Sequence, residues 1–162
     1  MATFSINEII EMAAQIEKCG YAYYDNALKQ SFLSKEAKEL LTMLRDQELK
    51  HEKYFNSLRD EEEYQVMLAD SDWETVSSYL KAIIRQRIFS TEDAAINLAT
   101  NAKTEKEILE NAINFEKDTI LYFMSIKDSI TDSRAKEVLD IIIKEEVDHV
   151  LKLTLYRDKN LS

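Results

Sequence analysis

Apolar residues recur at spacings of three and four along four long stretches of this chain, and a side chain able to cap a helix stands before each stretch. Ser5-x-x-Glu8 reads as a capping box that opens a helix of about 24 residues, to near Lys29, with the stripe Ile6, Ile10, Ala13, Tyr21, Tyr24 and Leu28. Ser34 caps a second helix, to about Arg59, with Leu41, Leu44, Phe55 and Leu58 along one side. Thr104-x-x-Glu107 opens a third, to about Ile130, with the stripe Leu109, Ala112, Ile113, Ile120, Phe123 and Ile130. Asp132 caps the fourth, whose Leu139, Ile142, Ile143, Val150 and Leu153 face inward. The connections near 30–34 and 131–132 are short, so the first two helices form one antiparallel hairpin and the last two another.

Residues 60–104 are too many for a structureless loop in a compact domain. Ser71-x-x-Glu74 and the stripe Val76, Tyr79, Leu80, Ile83 and Ile84 predict a shorter helix near 72–89, and a further helical turn is expected near 91–100. This segment crosses between the hairpins, either simply spanning the bundle or also forming a dimer contact. The pattern therefore predicts an all-α fold in one domain, residues 1–162: two antiparallel helical hairpins joined by a long crossover containing a short helix.

Composition sharpens this picture. The chain has no proline and a single glycine, Gly20, so almost nothing interrupts a helix. With 45% apolar and 32% charged residues it suits a soluble helical bundle and not a disordered chain. A net charge of −10 argues against partners that are nucleic acids or anionic membranes, and invites bound cations. The lone Cys19 excludes an intrachain disulfide and a Cys-x-x-Cys metal ribbon; it reads as an inert small residue. The first residues lack the basic start and apolar run of a signal peptide, and no apolar run approaches a membrane span, so the expected location is cytoplasmic.

The candidate chemistry lies in two histidines, the only two present, each three places after a glutamate: Glu48-x-x-His51 and Glu146-x-x-His149. Residues three apart share a helix face, so each pair offers a carboxylate and an imidazole together, an oxygen–nitrogen set suited to divalent transition metals. With 19 glutamates in the chain, chance alone gives both pairs about once in 70 such sequences. Either pair alone also reads as a solvated helix face. Glu145 too lies within reach of His149's face and is an alternative to Glu146.

An internal repeat adds two further glutamates. Glu17 and Glu116 each stand 12 residues after a cap, Ser5 and Thr104; Glu48 and Glu146 each stand 14 after Ser34 and Asp132. This alignment favours Glu146 over Glu145. All four glutamates lie within apolar stripes, where an unpartnered carboxylate costs several kcal/mol, of order 2 or more each. Measured from the turns at 1.5 Å per residue, the members of each hairpin are level to within about 3 Å. Four carboxylates and two imidazoles can thus meet near mid-bundle, and two divalent ions would neutralise the four negative charges.

One Glu from each of two helices with Glu-x-x-His from each of the other two is the ligand pattern of dimetal carboxylate bundles. The stretches Ile16–Tyr24, Gln47–Phe55, Phe115–Phe123 and Glu145–His149 carry it, and in helix order nearly the whole chain resembles the ferritin-like superfamily, within it the rubrerythrin-like diiron proteins. The resemblance implies a ferritin-like four-helix bundle with metal ligands Glu17, Glu48, His51, Glu116, Glu146 and His149. Glu17, Glu48 and His51 would serve mainly one metal, Glu116, Glu146 and His149 the other, with two of the glutamates bridging. It implies two metal ions, iron by family, with manganese or a mixed pair suiting the same ligands. It further implies an oxidoreductase that reduces hydrogen peroxide or dioxygen. Rubrerythrins proper carry an extra carboxylate near the helix-three ligand, where this chain has Ile113 and Thr119, and a four-cysteine rubredoxin domain, where it has one cysteine. Electrons would then come from a separate rubredoxin-like or flavoprotein donor.

Ferroxidase activity in iron handling and a non-enzymatic metal-binding bundle remain as alternatives. A homodimer is expected in preference to a cage. Tyr24 and Phe123, seven places after Glu17 and Glu116, read as core packing, with Tyr24 also able to hydrogen-bond at the site. Gly20, one turn from Glu17, either makes room for a ligand or lets helices approach closely. Glu61-Glu62-Glu63 reads as a solvated helix end.

Overall fold

Ser34, Thr91, Thr104 and Asp132 each have extended backbone, and their side-chain oxygens accept hydrogen bonds from the N–H three residues on, at 3.1, 3.1, 3.2 and 2.7 Å. Each satisfies a backbone donor that the first helical turn leaves open. The computed structural model describes residues 6–69, 91–128 and 130–161. The described residues are all-helical, without a strand: α1 (Ile6–Ala27), α2 (Lys35–Ser57), α3 (Glu61–Ala69), α4 (Glu92–Asn101), α5 (Glu105–Lys127) and α6 (Ser133–Asn160). The expected Ser5 cap and the expected helix near 72–89 lie outside the described residues.

Two local expectations take definite form. The turn expected near 91–100 is a ten-residue helix, α4, whose Ala95 and Ala99 are fully buried. Glu61–Glu63 form a solvated helix end, the first turn of α3, which Asp60 caps through a 3.0 Å bond from the Glu63 N–H. Three acidic residues in a first turn suit the positive end of the helix dipole, and all three remain exposed.

The order of contacts fixes the helix directions. Between α1 and α2, Asp25 meets Arg45 and Glu11 meets Arg59, so the two run antiparallel. Between α5 and α6, Lys127 meets Asp140 and Glu105 meets Tyr156, again antiparallel. Tyr24 meets Glu116 and Met12 meets Tyr122, which sets α1 against α5 in the same sense. Gln47 meets His149 while His51 meets Glu145, which does the same for α2 and α6. Four long helices with antiparallel neighbours are compatible with a four-helix bundle.

The start of α5 lies beside the start of α2. Glu105 accepts from the Ser34 backbone N–H at 2.7 Å and from the Tyr156 hydroxyl at 2.7 Å. The end of α2 and the start of α5 therefore lie at opposite ends of the helices. Between them in sequence, α4 packs on α1, and Gln30 donates to the carbonyls of Ala99 and Thr100 at 2.9 and 3.1 Å.

That docking explains why α1 is buried over far more than a stripe. Ile9, Met12, Ala14, Ile16, Cys19 and Tyr23 are buried along with Ile10, Ala13 and Tyr24, whereas Tyr21, Leu28 and Ile6 are only half-buried. A helix with neighbours on several sides has a wide buried arc. On the other helices Leu58, Ile120, Ile143 and Val150 are likewise half-buried at the margins of their stripes. Among the described residues no helix is long and apolar enough to cross a membrane.

Candidate metal centre

Four helices deliver six ionisable side chains to one buried volume. Glu17 comes from α1, Glu48 and His51 from α2, Glu116 from α5, Glu146 and His149 from α6. None is more than 4% exposed, a burial that carboxylates tolerate only with compensating partners. The positions follow from the stripes: Glu48 lies between Leu44 and Phe55, and Glu146 between Ile142 and Leu153, all buried.

The ligand atoms form two groups, in each of which all lie within 4.8 Å of one another. One holds Glu48, Glu116, Glu146 and His149; the other holds Glu17, His51 and Glu146. Glu146 belongs to both. His51 Nδ1 lies 3.3 Å from Glu17 Oε2 and 3.0 Å from Glu146 Oε1. His149 Nδ1 lies 3.0 Å from Glu146 Oε2, 3.5 Å from Glu116 Oε1 and 3.8 Å from Glu48 Oε1. The imidazoles are stacked, 5.7 Å between centroids at 14°.

The expectation is that each hairpin serves mainly one metal, with two of the glutamates bridging. Each group does draw mainly on one hairpin, Glu17 and His51 in one and Glu116, Glu146 and His149 in the other, and a glutamate crosses in each: α2's Glu48 stands beside α6's His149 and α6's Glu146 beside α2's His51. The antiparallel register of α2 and α6 is the cause, because it runs the two Glu-x-x-His pairs past one another head to tail.

Of the two adjacent glutamates, Glu146 is the buried one. Glu145 is half exposed and hydrogen-bonds His51 at Nε2, on the side of the ring away from the cluster. The other histidine is held in the same way: its Nε2 meets Gln47 Oε1 at 2.5 Å. A hydrogen on each Nε2 leaves Nδ1, which faces the carboxylates, as the nitrogen that a metal would take in exchange for its proton. Sequence reasoning missed Gln47 altogether and weighed Glu145 only as a ligand. Yet both stand immediately before the glutamate of a Glu-x-x-His pair, a signal visible in the chain.

Burial comes first among the causes that push the carboxyls of Glu17, Glu48 and Glu116 upward, with the negative charge of neighbouring glutamates second. Glu116 is raised to about 8. Burial opposes the charged form of the histidines too, but contact with Glu146 overcomes it at His51, raised to about 9, and contact with Glu116 and Glu146 at His149, raised to about 11. Glu146 feels the same burial, yet the two imidazoles hold it well below the usual carboxylate range. The metal-free cluster thus holds its negative charge down with protons.

Even so, Glu17 Oε1, Glu48 Oε1, Glu116 Oε2, both Glu146 oxygens and His149 Nδ1 are buried without a well-directed hydrogen bond among the described residues. Orphaned polar atoms are costly, and here they converge on shared volumes. Carboxylate oxygens and imidazole nitrogens are the donor set of a divalent transition metal, so the residues present fit such an ion. Buried Glu and His groups that could bind metal ions are therefore in place.

The neighbours of the cluster are also accounted for. The Tyr24 hydroxyl donates to Glu116 Oε1 at 2.5 Å, so Tyr24 is both core and site partner. Phe123 is core, packed 5.8 Å from Phe55 between ring centroids. The Thr119 hydroxyl donates to the Phe115 carbonyl of its own helix at 3.0 Å and so offers the cluster no extra ligand; Ile113 is buried and apolar. Cys19 is buried, and burial pushes its thiol up to about 12, consistent with an inert residue. A cleft of about 410 Å³ between α2 and α6, lined by Gln47, Lys50, His51, Tyr54, Ile141, Ile142 and Glu145, opens onto the outer side of the site.

Gly20 answers a close approach. A Cβ there would press on the Glu48 carboxylate, 2.8 Å from Cδ, and on Phe115 Cε1 at 2.9 Å. The space is filled by Glu48 itself. In Gly20→Ala the better helix propensity of alanine, about 1 kcal/mol, offsets part of an overpacking cost of about 1–3 kcal/mol. Glu48 gives way, so metal affinity is expected to fall about 10-fold or more while stability falls by no more than about 2 kcal/mol; isothermal titration with Mn²⁺ alongside thermal melts checks both.

No family model, curated protein or solved structure matches this chain.

Proposed function

We propose that this chain is a rubrerythrin-like redox protein with a ferritin-like four-helix fold. Its dinuclear carboxylate site, most naturally diiron, would reduce hydrogen peroxide or dioxygen with electrons from a separate donor. The observation that carries the reading is Glu146: one buried carboxylate shared by two groups of metal-ligand atoms, each with its own histidine. A shared carboxylate between two such groups suits a pair of ions better than one.

Glu17 and His51 would hold one ion, Glu48, Glu116 and His149 the other, and Glu146 both. Manganese or a mixed pair fits the same oxygen and nitrogen donors. A ferrous pair held by these residues would supply two electrons, the number needed to convert one peroxide and two protons to two waters. The protein's own contribution is to hold the ligands in register and keep bulk water from the cluster. Gln47 and Glu145 hold the imidazoles in the ligating tautomer, and Tyr24 holds Glu116. The cleft beside His51 is wide enough for peroxide or dioxygen to reach that side. Cys19, buried and with its thiol raised, is unsuited to relay electrons, which favours an external donor.

Stopped-flow mixing of anaerobic diferrous protein with one equivalent of hydrogen peroxide tests this. Oxidation at least about 100-fold faster than for free ferrous ion is expected, within the range that a positioned metal site contributes. A rate no faster than free ferrous ion counts against a peroxidase. Fast oxidation by dioxygen with release of ferric ion would instead favour iron handling.

A further inference from the structure

The two histidines are held from outside by different chemistry. His51 Nε2 meets a carboxylate, Glu145; His149 Nε2 meets a neutral amide, Gln47. The contacts cross between α2 and α6, so each Glu-x-x-His helix supplies the outer partner for the other helix's histidine. Geometry makes the two positions equivalent, but their charge does not match.

The ligand groups differ in the opposite sense. The group around His149 contains three carboxylates, Glu48, Glu116 and Glu146. The group around His51 contains two, Glu17 and Glu146. Glu48 nonetheless hydrogen-bonds Glu17 and acts on His51 as well, so the clear inequality between the positions is the outer one, a carboxylate behind His51 and none behind His149.

We infer that Glu145 is the positioning residue that sets the His51 position apart, making its imidazole the stronger donor to a metal, while Gln47 fills the corresponding place behind His149 without charge. The inference rests on the cluster's being a two-metal site. Its physical basis is the hydrogen bond. A carboxylate that accepts from Nε2–H makes Nδ1 a better donor to a cation, and changes at such outer partners alter metal affinity about 10- to 100-fold. An amide acceptor fixes the ring's tautomer but polarises it less. Glu145 is half exposed, so its charge is screened through space and acts chiefly along this bond. It also lines the cleft between α2 and α6, which places it on the open side of the site.

Anaerobic titration of the metal-free protein with Co²⁺, followed by calorimetry and by the visible ligand-field bands of bound Co²⁺, tests the inference. Wild type is expected to bind two equivalents. In Glu145→Gln, which leaves a hydrogen-bonding side chain of the same size at the helix surface, one equivalent weakens about 10-fold or more while the other is unchanged. In Gln47→Glu the other equivalent tightens by a similar factor, a gain that a loosened fold does not produce. Equal weakening of both equivalents in Glu145→Gln, or no change in either variant, overturns the inference while leaving the two-metal site standing. Failure of wild type to bind Co²⁺ overturns both.

Discussion

Glu146→Gln is expected to abolish metal binding at both positions, whereas Glu17→Gln weakens only one. Glu146 is the single residue common to the two ligand groups, and both of its oxygens lack other well-directed partners. An amide of the same size keeps the shape but removes the charge two cations share and one of the two lone-pair faces. The variant also strips the imidazoles of the carboxylate 3.0 Å from each Nδ1. Removing one partner of a buried ion pair costs about 3–5 kcal/mol if the other stays charged. The rings can avoid part of that by losing protons, so their titrations should fall from about 9 and about 11 toward the ordinary histidine value. Equilibrium dialysis against Fe²⁺ or Mn²⁺ reads the stoichiometry, and NMR of the two histidines reads the titrations. Two equivalents retained in Glu146→Gln would remove this residue from the centre of the site.

The metal-free protein should lose stability steadily as pH rises from about 4.5 to about 9. Glu17, Glu48 and Glu116 carry folded-state values raised by burial, Glu116 to about 8, and His51 is raised to about 9. Above the unfolded carboxyl value the native state keeps protons that the unfolded chain releases, so deprotonation favours unfolding. Above about 6.5 the histidines add to the same trend, which for His149 continues toward about 11. Glu146 acts oppositely, but its stabilisation is complete above the unfolded value and is lost only as pH falls below it. Each proton held by the native state alone costs about 1.4 kcal/mol per pH unit. Divalent ions replace those protons, so metal affinity should climb through the same window and the loaded protein should melt nearly independently of pH. Thermal melts from pH 5 to pH 9, with and without Mn²⁺, check this; a metal-free Tm that rises over that range contradicts it.

Much of this was legible in the chain. Ser34, Thr104 and Asp132 cap helices as their side chains suggested, because capping is local chemistry. The six site residues meet because their stripes and their distances from the turns fix both face and depth. The pairing of Glu48 with His149 was not legible, since it depends on the register between α2 and α6, which neither helix encodes alone. The breadth of burial on α1 depends on α4 docking against it, a long-range event invisible in α1's own pattern. Gln47, and the outer role of Glu145, escaped notice for another reason. Both residues lie at the edge of the buried faces, where apolar periodicity says nothing and only the rotamers bring them to the histidines.

Six buried side chains are proposed to form one site for two metal ions, and anaerobic equilibrium dialysis of the metal-free protein against Fe²⁺, with iron measured by elemental analysis, counts those ions. About two iron atoms per chain, falling to none in Glu146→Gln, is the expected result. No bound iron in the wild type, or two in both proteins, would contradict it.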